Sequence, residues 1–244
     1  MKKNRDNFII LFIYGGVQLL MTIALATILL SYPEIWDDDE LFITFNVITS
    51  LVLYGVLSLL FIFIFRNYFK KQIRHFLDNR KKIVTVVIVG ILAMYTMSII
   101  SNLLLLLLGV TETSENQEQL VQLMDGSIFD KISMIIFAVI LAPLVEEFVF
   151  RKAIIDLANF KIGIDDGSRK YKRNKILIAA FAVLVSGALF GFVHVTSGDY
   201  IQMIYYGLLG TTFGVIYLAS DKNIFAAIFV HFVWNLLATS LLFM

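Results

Sequence analysis

The chain of 244 residues has no cysteine and only two prolines. Without cysteine there is no disulfide framework, no thiolate metal site and no thiol nucleophile. Charge is also scarce: 16% of residues are Asp, Glu, Lys or Arg, against about 25% in soluble domains. Histidine occurs three times. What fills the chain instead is apolar, with 59% hydrophobic residues and a mean hydropathy of +0.84. That balance excludes an ordinary soluble domain and points to a membrane protein. The net charge of +1 says nothing about partners, and no nucleic-acid partner is expected.

The apolar residues come in blocks of about 20, the length a helix needs to cross about 30 Å of hydrocarbon. Seven spans are expected, over 8–30, 41–65, 83–108, 132–160, 176–196, 200–219 and 223–243. The expected fold is therefore all-α, a polytopic bundle of about seven transmembrane helices. Lys2, Lys3 and Arg5 precede the first block, but it is longer than a signal-peptide core. Ser31-Tyr32-Pro33-Glu34 also offers no small-x-small cleavage site, so the block reads as a span.

The loops alternate in charge. The N-terminus, the 66–82 loop, the 161–175 loop and Lys222 hold 17 of the 20 basic residues. The opposite loops carry Glu34, Asp37, Asp38, Asp39 and Glu40, then Glu112, Glu115, Glu118, Asp125 and Asp130, with Lys131 their single basic residue. The positive-inside rule puts the N-terminus in the cytoplasm and the C-terminus outside. Phe69, Ile73, Phe76 and Leu77 recur at helical spacing in 66–82, which reads either as an amphipathic helix on the inner leaflet or as a solvated basic turn. The 111–131 loop is expected to be a plain linker, with a short external helix capping a cavity as the alternative. Gly187/Gly191 and Gly210/Gly214 are spaced for close helix packing in lipid. No internal repeat is visible. The organisation expected is a three-span region over 1–131 and a four-span core over 132–244.

Against this background the buried polar residues stand out. Glu146 and Glu147 lie inside the apolar run Ile140–Arg151. Carboxylates at membrane depth are costly and mark function. Glu147 and Arg151 are four apart, so they share a helix face and can pair. Position 150, four beyond Glu146, is Phe, which leaves Glu146 free for acid–base chemistry. His194 ends one apolar run and His231 begins another, while His75 sits in a basic loop. His231 and Asn235 share a face. Together these groups supply a base, imidazoles and a hydrogen-bond donor, which amide hydrolysis requires. Gln18, Asn46 and Asn102 are expected to bond across helices, and Pro143 to kink its helix and free a carbonyl near the site. The aromatic residues are read as lipid-facing and interfacial packing. Counted along their spans, His194 and His231 differ in height by about 15 Å, so they meet only if the helices tilt or begin at different depths.

Glu-Glu-x-x-x-Arg (Glu146, Glu147, Arg151), Phe-x-x-x-His (Phe190, His194) and His-x-x-x-Asn (His231, Asn235), in this order, resemble the CAAX prenyl protease and bacteriocin-processing family, also called Abi. The resemblance covers about residues 130–240. Lys152 stands where the family commonly has glycine. The resemblance implies an intramembrane endopeptidase in a bacterial plasma membrane, acting in peptide maturation, bacteriocin immunity or processing of signalling peptides. Its substrate is then a leader or small membrane-bound peptide. By the same resemblance, Glu146 and His194 activate a water, His231 and Asn235 form the oxyanion site, and Glu147, Arg151 and Phe190 support them. No cofactor is firmly implied. A zinc held by Glu146, His194 and His231 stays open beside a metal-free mechanism, because the family has long been labelled metalloprotease. Two rival readings use the same groups: a non-catalytic membrane regulator that binds a partner, and a small transporter.

Overall fold

The computed structural model describes residues 2–158, 168–195 and 198–240. Among the described residues there are helices and no strands. Six helices are long and apolar enough to cross a membrane. They are α1 (Lys2–Ser31), α2 (Asp39–Ile64), α4 (Arg80–Leu107), α6 (Ile128–Ile155), α7 (Arg169–Val193) and the stretch Tyr200–Ala219, whose α-helical part Met203–Ala219 is α8. The seventh expected span is the shorter apolar helix α9 (Ile224–Ser240). The longer non-spanning helices are α3 (Arg66–Asp78) and α5 (Glu115–Leu123), beside the short helical turns Glu34–Asp37 and Asp156–Ala158. The protein is thus a multi-pass membrane protein. The expected ends of three spans, at 159–160, 196 and 241–243, lie outside the described residues, as does Lys161.

Local chemistry sets the boundaries. Asp38 caps α2 by accepting from the Leu41 amide (2.9 Å), and Ser168 caps α7 through the Tyr171 amide (3.0 Å). The Ser168 cap draws the basic residues Arg169–Lys175 into the helix, so α7 starts seven residues before the expected span. Of the two readings of 66–82, the helix is the one that forms. The Phe69 ring of α3 lies 5.1 Å from that of Phe148 and 6.0 Å from that of Phe225, while Ile73 and Leu77 stay exposed. The Gln72 side chain accepts from the Ile224 amide (3.1 Å), so α3 also caps α9.

The loop expected as a linker contains helix α5. Ser114 caps it, and four contacts tie it to the start of α8 and the turn before it. Ser114 Oγ lies 2.6 Å from Tyr206 Oη, and Asn116 donates to the same oxygen (3.2 Å). The Glu115 amide donates to Asp199 (3.0 Å), and Gln202 donates to the Glu112 carbonyl (3.0 Å).

The glycines work as expected. A Cβ on Gly187 would sit 2.8 Å from the Gly207 carbonyl oxygen, and one on Gly191 would sit 2.8 Å from the Gly207 nitrogen. The α7 and α8 backbones therefore touch, which only glycine permits. The polar residues expected to bridge helices do not all do so. Asn46 and Asn102 donate to carbonyls one turn back in their own helices, Phe42 and Ser98. Local bonding of this kind satisfies a side chain without a neighbour. Gln18 faces the central cavity.

Candidate active site

Glu146 and Glu147 sit at the centre of α6, where the helix is irregular. Ile136–Leu141 and Phe148–Ile155 are π-helical and flank the α-helical turn that carries the two glutamates. The Ala142 amide bonds five residues back to the Phe137 carbonyl. In the same pattern the Ala138 carbonyl would need the amide of residue 143, which is proline and has none. Asn235 of α9 donates to that carbonyl instead (2.8 Å). Pro143 thus frees a carbonyl as expected, and Asn235 is the group that takes it.

Glu147 and Arg151 pair as their spacing predicts, fully buried, at 2.8 Å from Nε to Oε2 and 3.2 Å from Nη2 to Oε1. The remaining guanidinium nitrogen donates to Ser186 Oγ of α7 (2.8 Å), and Ser186 donates to the Phe150 carbonyl (2.7 Å). The guanidinium carbon lies 5.1 Å from the Phe190 ring centre and 5.6 Å from that of Phe213. Every guanidinium nitrogen is bonded, and aromatic faces cover the plane. This is how a charge can be held in an apolar interior.

Glu147 has a second task that its pairing with Arg151 did not predict. Its Oε1 lies 3.0 Å from His231 Nδ1. A carboxylate only accepts, so Nδ1 carries a proton and Nε2 is turned to the other side of the ring. His194 is held in the same way: its Nδ1 lies 2.7 Å from the Phe190 carbonyl, which also only accepts. Both Nε2 atoms then face one oxygen. Glu146 Oε2 is 4.0 Å from His194 Nε2 and 3.9 Å from His231 Nε2. Those gaps are too long for direct hydrogen bonds and suit an intervening water.

The two histidines therefore meet at Glu146 despite the height difference counted along their spans. His194 caps the end of α7, and its ring folds back along the helix over Phe190, with centroids 4.3 Å apart. That takes up about one turn of the offset. The Phe213 ring, 4.4 Å from His231 and 6.1 Å from Phe190, fills the space between.

The site opens into a cavity of about 650 Å³. Glu146, Phe190, His194, His231 and Asn235 line it, and the fully buried Glu147 and Arg151 stand behind its wall. One Nδ2 hydrogen of Asn235 is used on Ala138, and the other is left for the cavity side. Sequence reasoning missed Tyr14 and Tyr54, which it left among the lipid-facing aromatics. Both line the cavity and interact electrostatically with the Glu146 carboxylate. It also gave Ser186 no part in the site. The signal for Ser186 was the arginine itself, whose five donors exceed what one carboxylate can accept.

Glu146, His194 and His231 form the donor chemistry of a catalytic zinc site. Their spacing is looser than an ion requires: the donors stand 3.9 and 4.0 Å apart, against roughly 3.4 Å for tetrahedral bonds of about 2.1 Å. Among the described residues no group of three or more such side chains is placed to hold a metal.

Residues 128–237 match the model of the family described as Type II CAAX prenyl endopeptidase Rce1-like. The chain is also 28% identical over 144 residues to a Bacillus subtilis protein, YdiL, whose name describes it as a candidate membrane peptidase. The alignment covers 59% of this chain and 50% of YdiL, so the chain spans half the length of that relative. No solved structure matches.

Proposed function

We propose that the protein is an intramembrane endopeptidase that hydrolyses a peptide bond in a membrane-associated peptide, with a water activated by Glu146. The observation that carries this reading is the convergence of two imidazole Nε2 atoms on one Glu146 oxygen, at 3.9 and 4.0 Å, at the wall of a cavity. The family model that residues 128–237 match and the name of the relative support the same class of reaction.

A water between Glu146 Oε2 and the imidazoles is oriented by groups whose own positions are fixed from behind, His231 by Glu147 and His194 by the Phe190 carbonyl. Glu146 takes its proton as the oxygen attacks the scissile carbonyl carbon. The free Asn235 hydrogen donates to the developing oxyanion. His231 adds a second donor when it is protonated, with Glu147 holding the charge. As the C–N bond breaks, Glu146 passes its proton to the leaving amine. Arg151, itself braced by Ser186, holds Glu147, and no step passes through a metal. The basic end of the bundle, with α3 and the start of α7, lies on the cytoplasmic side.

The deciding measurement is mass-spectrometric profiling of membrane and secreted peptides from cells carrying wild-type or Glu146→Gln protein at matched abundance. Product peptides are expected to vanish in the variant. An unchanged profile overturns the reading and favours a non-catalytic partner-binding role.

A further inference from the structure

The cavity around Glu146 has a wall that the water chemistry does not use. Tyr14, Gln18 and Thr22 of α1 are four residues apart, so they share one helix face, and all three line the cavity. The opposite face of the same helix is apolar and exposed at Phe12, Leu19 and Leu20. Polar groups on a membrane helix turn towards protein or water because lipid offers them no partner. Thr22 is half satisfied by the Gln18 carbonyl, to which its hydroxyl donates (2.9 Å), which leaves the oxygen lone pairs. Gln18 offers a carbonyl and an amide. Asn116 and Gln117 of α5 line the same cavity.

A peptide must leave the helical form before its bond can be reached. Its unwound N–H and C=O groups then need partners, because none exist in lipid. From Tyr14 to Thr22 the face rises about 12 Å at 1.5 Å per residue. An extended chain covers that length with about four residues at roughly 3.3 Å each. Leu120, Phe137 and Leu209 add apolar lining to the same cavity, which suits apolar side chains.

We propose that the Tyr14–Gln18–Thr22 face of α1, with Asn116 and Gln117 of α5, is the subsite that holds the unwound main chain of an extended, apolar peptide beside Glu146. The subsite rests on the peptidase reading above. It lies wholly outside residues 128–237, the part of the chain that the family model covers.

Two measurements on the full chain in membranes test it. Because the protein has no cysteine, single cysteines at 18, 22, 19 and 20 each report alone. A charged methanethiosulfonate reagent modifies only a hydrated thiolate, so positions 18 and 22 should react and positions 19 and 20 should not. Equal reaction at all four overturns the subsite.

The second measurement uses a synthetic copy of the product-yielding peptide identified by comparing wild-type with Glu146→Gln cells. In the Gln18→Leu/Thr22→Val variant its KM should rise about tenfold with kcat within about twofold, as for lost uniform binding. An unchanged KM, with products still abolished by Glu146→Gln, overturns the subsite and leaves the peptidase standing. Products that survive Glu146→Gln overturn the peptidase reading and the subsite with it.

Discussion

The helices Asn4–Ser31 and Ile128–Ile155 are matched in length, 28 residues each, and in mean hydropathy, 2.2. Yet 6% of the apolar window of the first is buried inside the protein, against 56% of the second. Hydropathy therefore reports that a helix tolerates an apolar surrounding, not whether lipid or protein supplies it. The difference lies in the polar residues. Ile128–Ile155 carries a carboxylate pair and an arginine that need protein partners on several sides. Asn4–Ser31 carries one polar face, towards the cavity, and leaves the rest to lipid.

The contrast can be broken or sharpened by substitution, and the largest effect is expected in the buried helix. Glu146→Gln should lower peptide cleavage by about 10²- to 10⁴-fold, the usual worth of a general base. Its thermal unfolding in detergent should match wild type, and a zinc chelator should leave wild-type cleavage intact. Arg151→Met acts differently, because it strands the Glu147 charge in an apolar interior. A loss of about 3–5 kcal/mol in stability is expected, read as a lower unfolding temperature and lower membrane abundance. The double variant Glu147→Gln/Arg151→Met should recover part of that loss but not the cleavage, since His231 then has no carboxylate at Nδ1.

A smaller effect is expected at the α7–α8 crossing. Gly191→Leu forces backbones apart that touch through Gly207, and overpacking of this kind costs about 1–3 kcal/mol. The smallest effect belongs to the lipid face of α1. Leu19→Ala and Leu20→Ala should shift stability by less than about 0.5 kcal/mol, measured in the same unfolding assay. A large loss there would mean that α1 is held by protein along its whole length.

Much of the fold was legible because bilayer thickness dictates helix length, and every expected span has a helix at its place. The Glu147–Arg151 pair was legible because both residues belong to one helix and obey one spacing rule. Contacts between helices were less so. Nothing in the spacing of Glu147 reveals that it also orients His231, 84 residues away. Tyr14 and Tyr54 were hidden for another reason: a tyrosine in a span reads the same whether its hydroxyl meets a carboxylate or the lipid interface. Helix α5 was the less favoured of two readings because its stability comes from tethers to Tyr206, Asp199 and Gln202, not from an apolar face of its own.

The carbonyl left over at Ala138 has a consequence for how this sequence can drift. Pro143 creates the vacancy and Asn235 fills it, from helices 92 positions apart in the chain. The two residues are therefore coupled in exchange. Restoring an amide with Pro143→Ala would return Ala138 to its own helix and free the Asn235 carboxamide to swing. Losing Asn235 would leave a half-buried acceptor at the cavity wall without its donor. Descendants of this chain should keep both residues or change both.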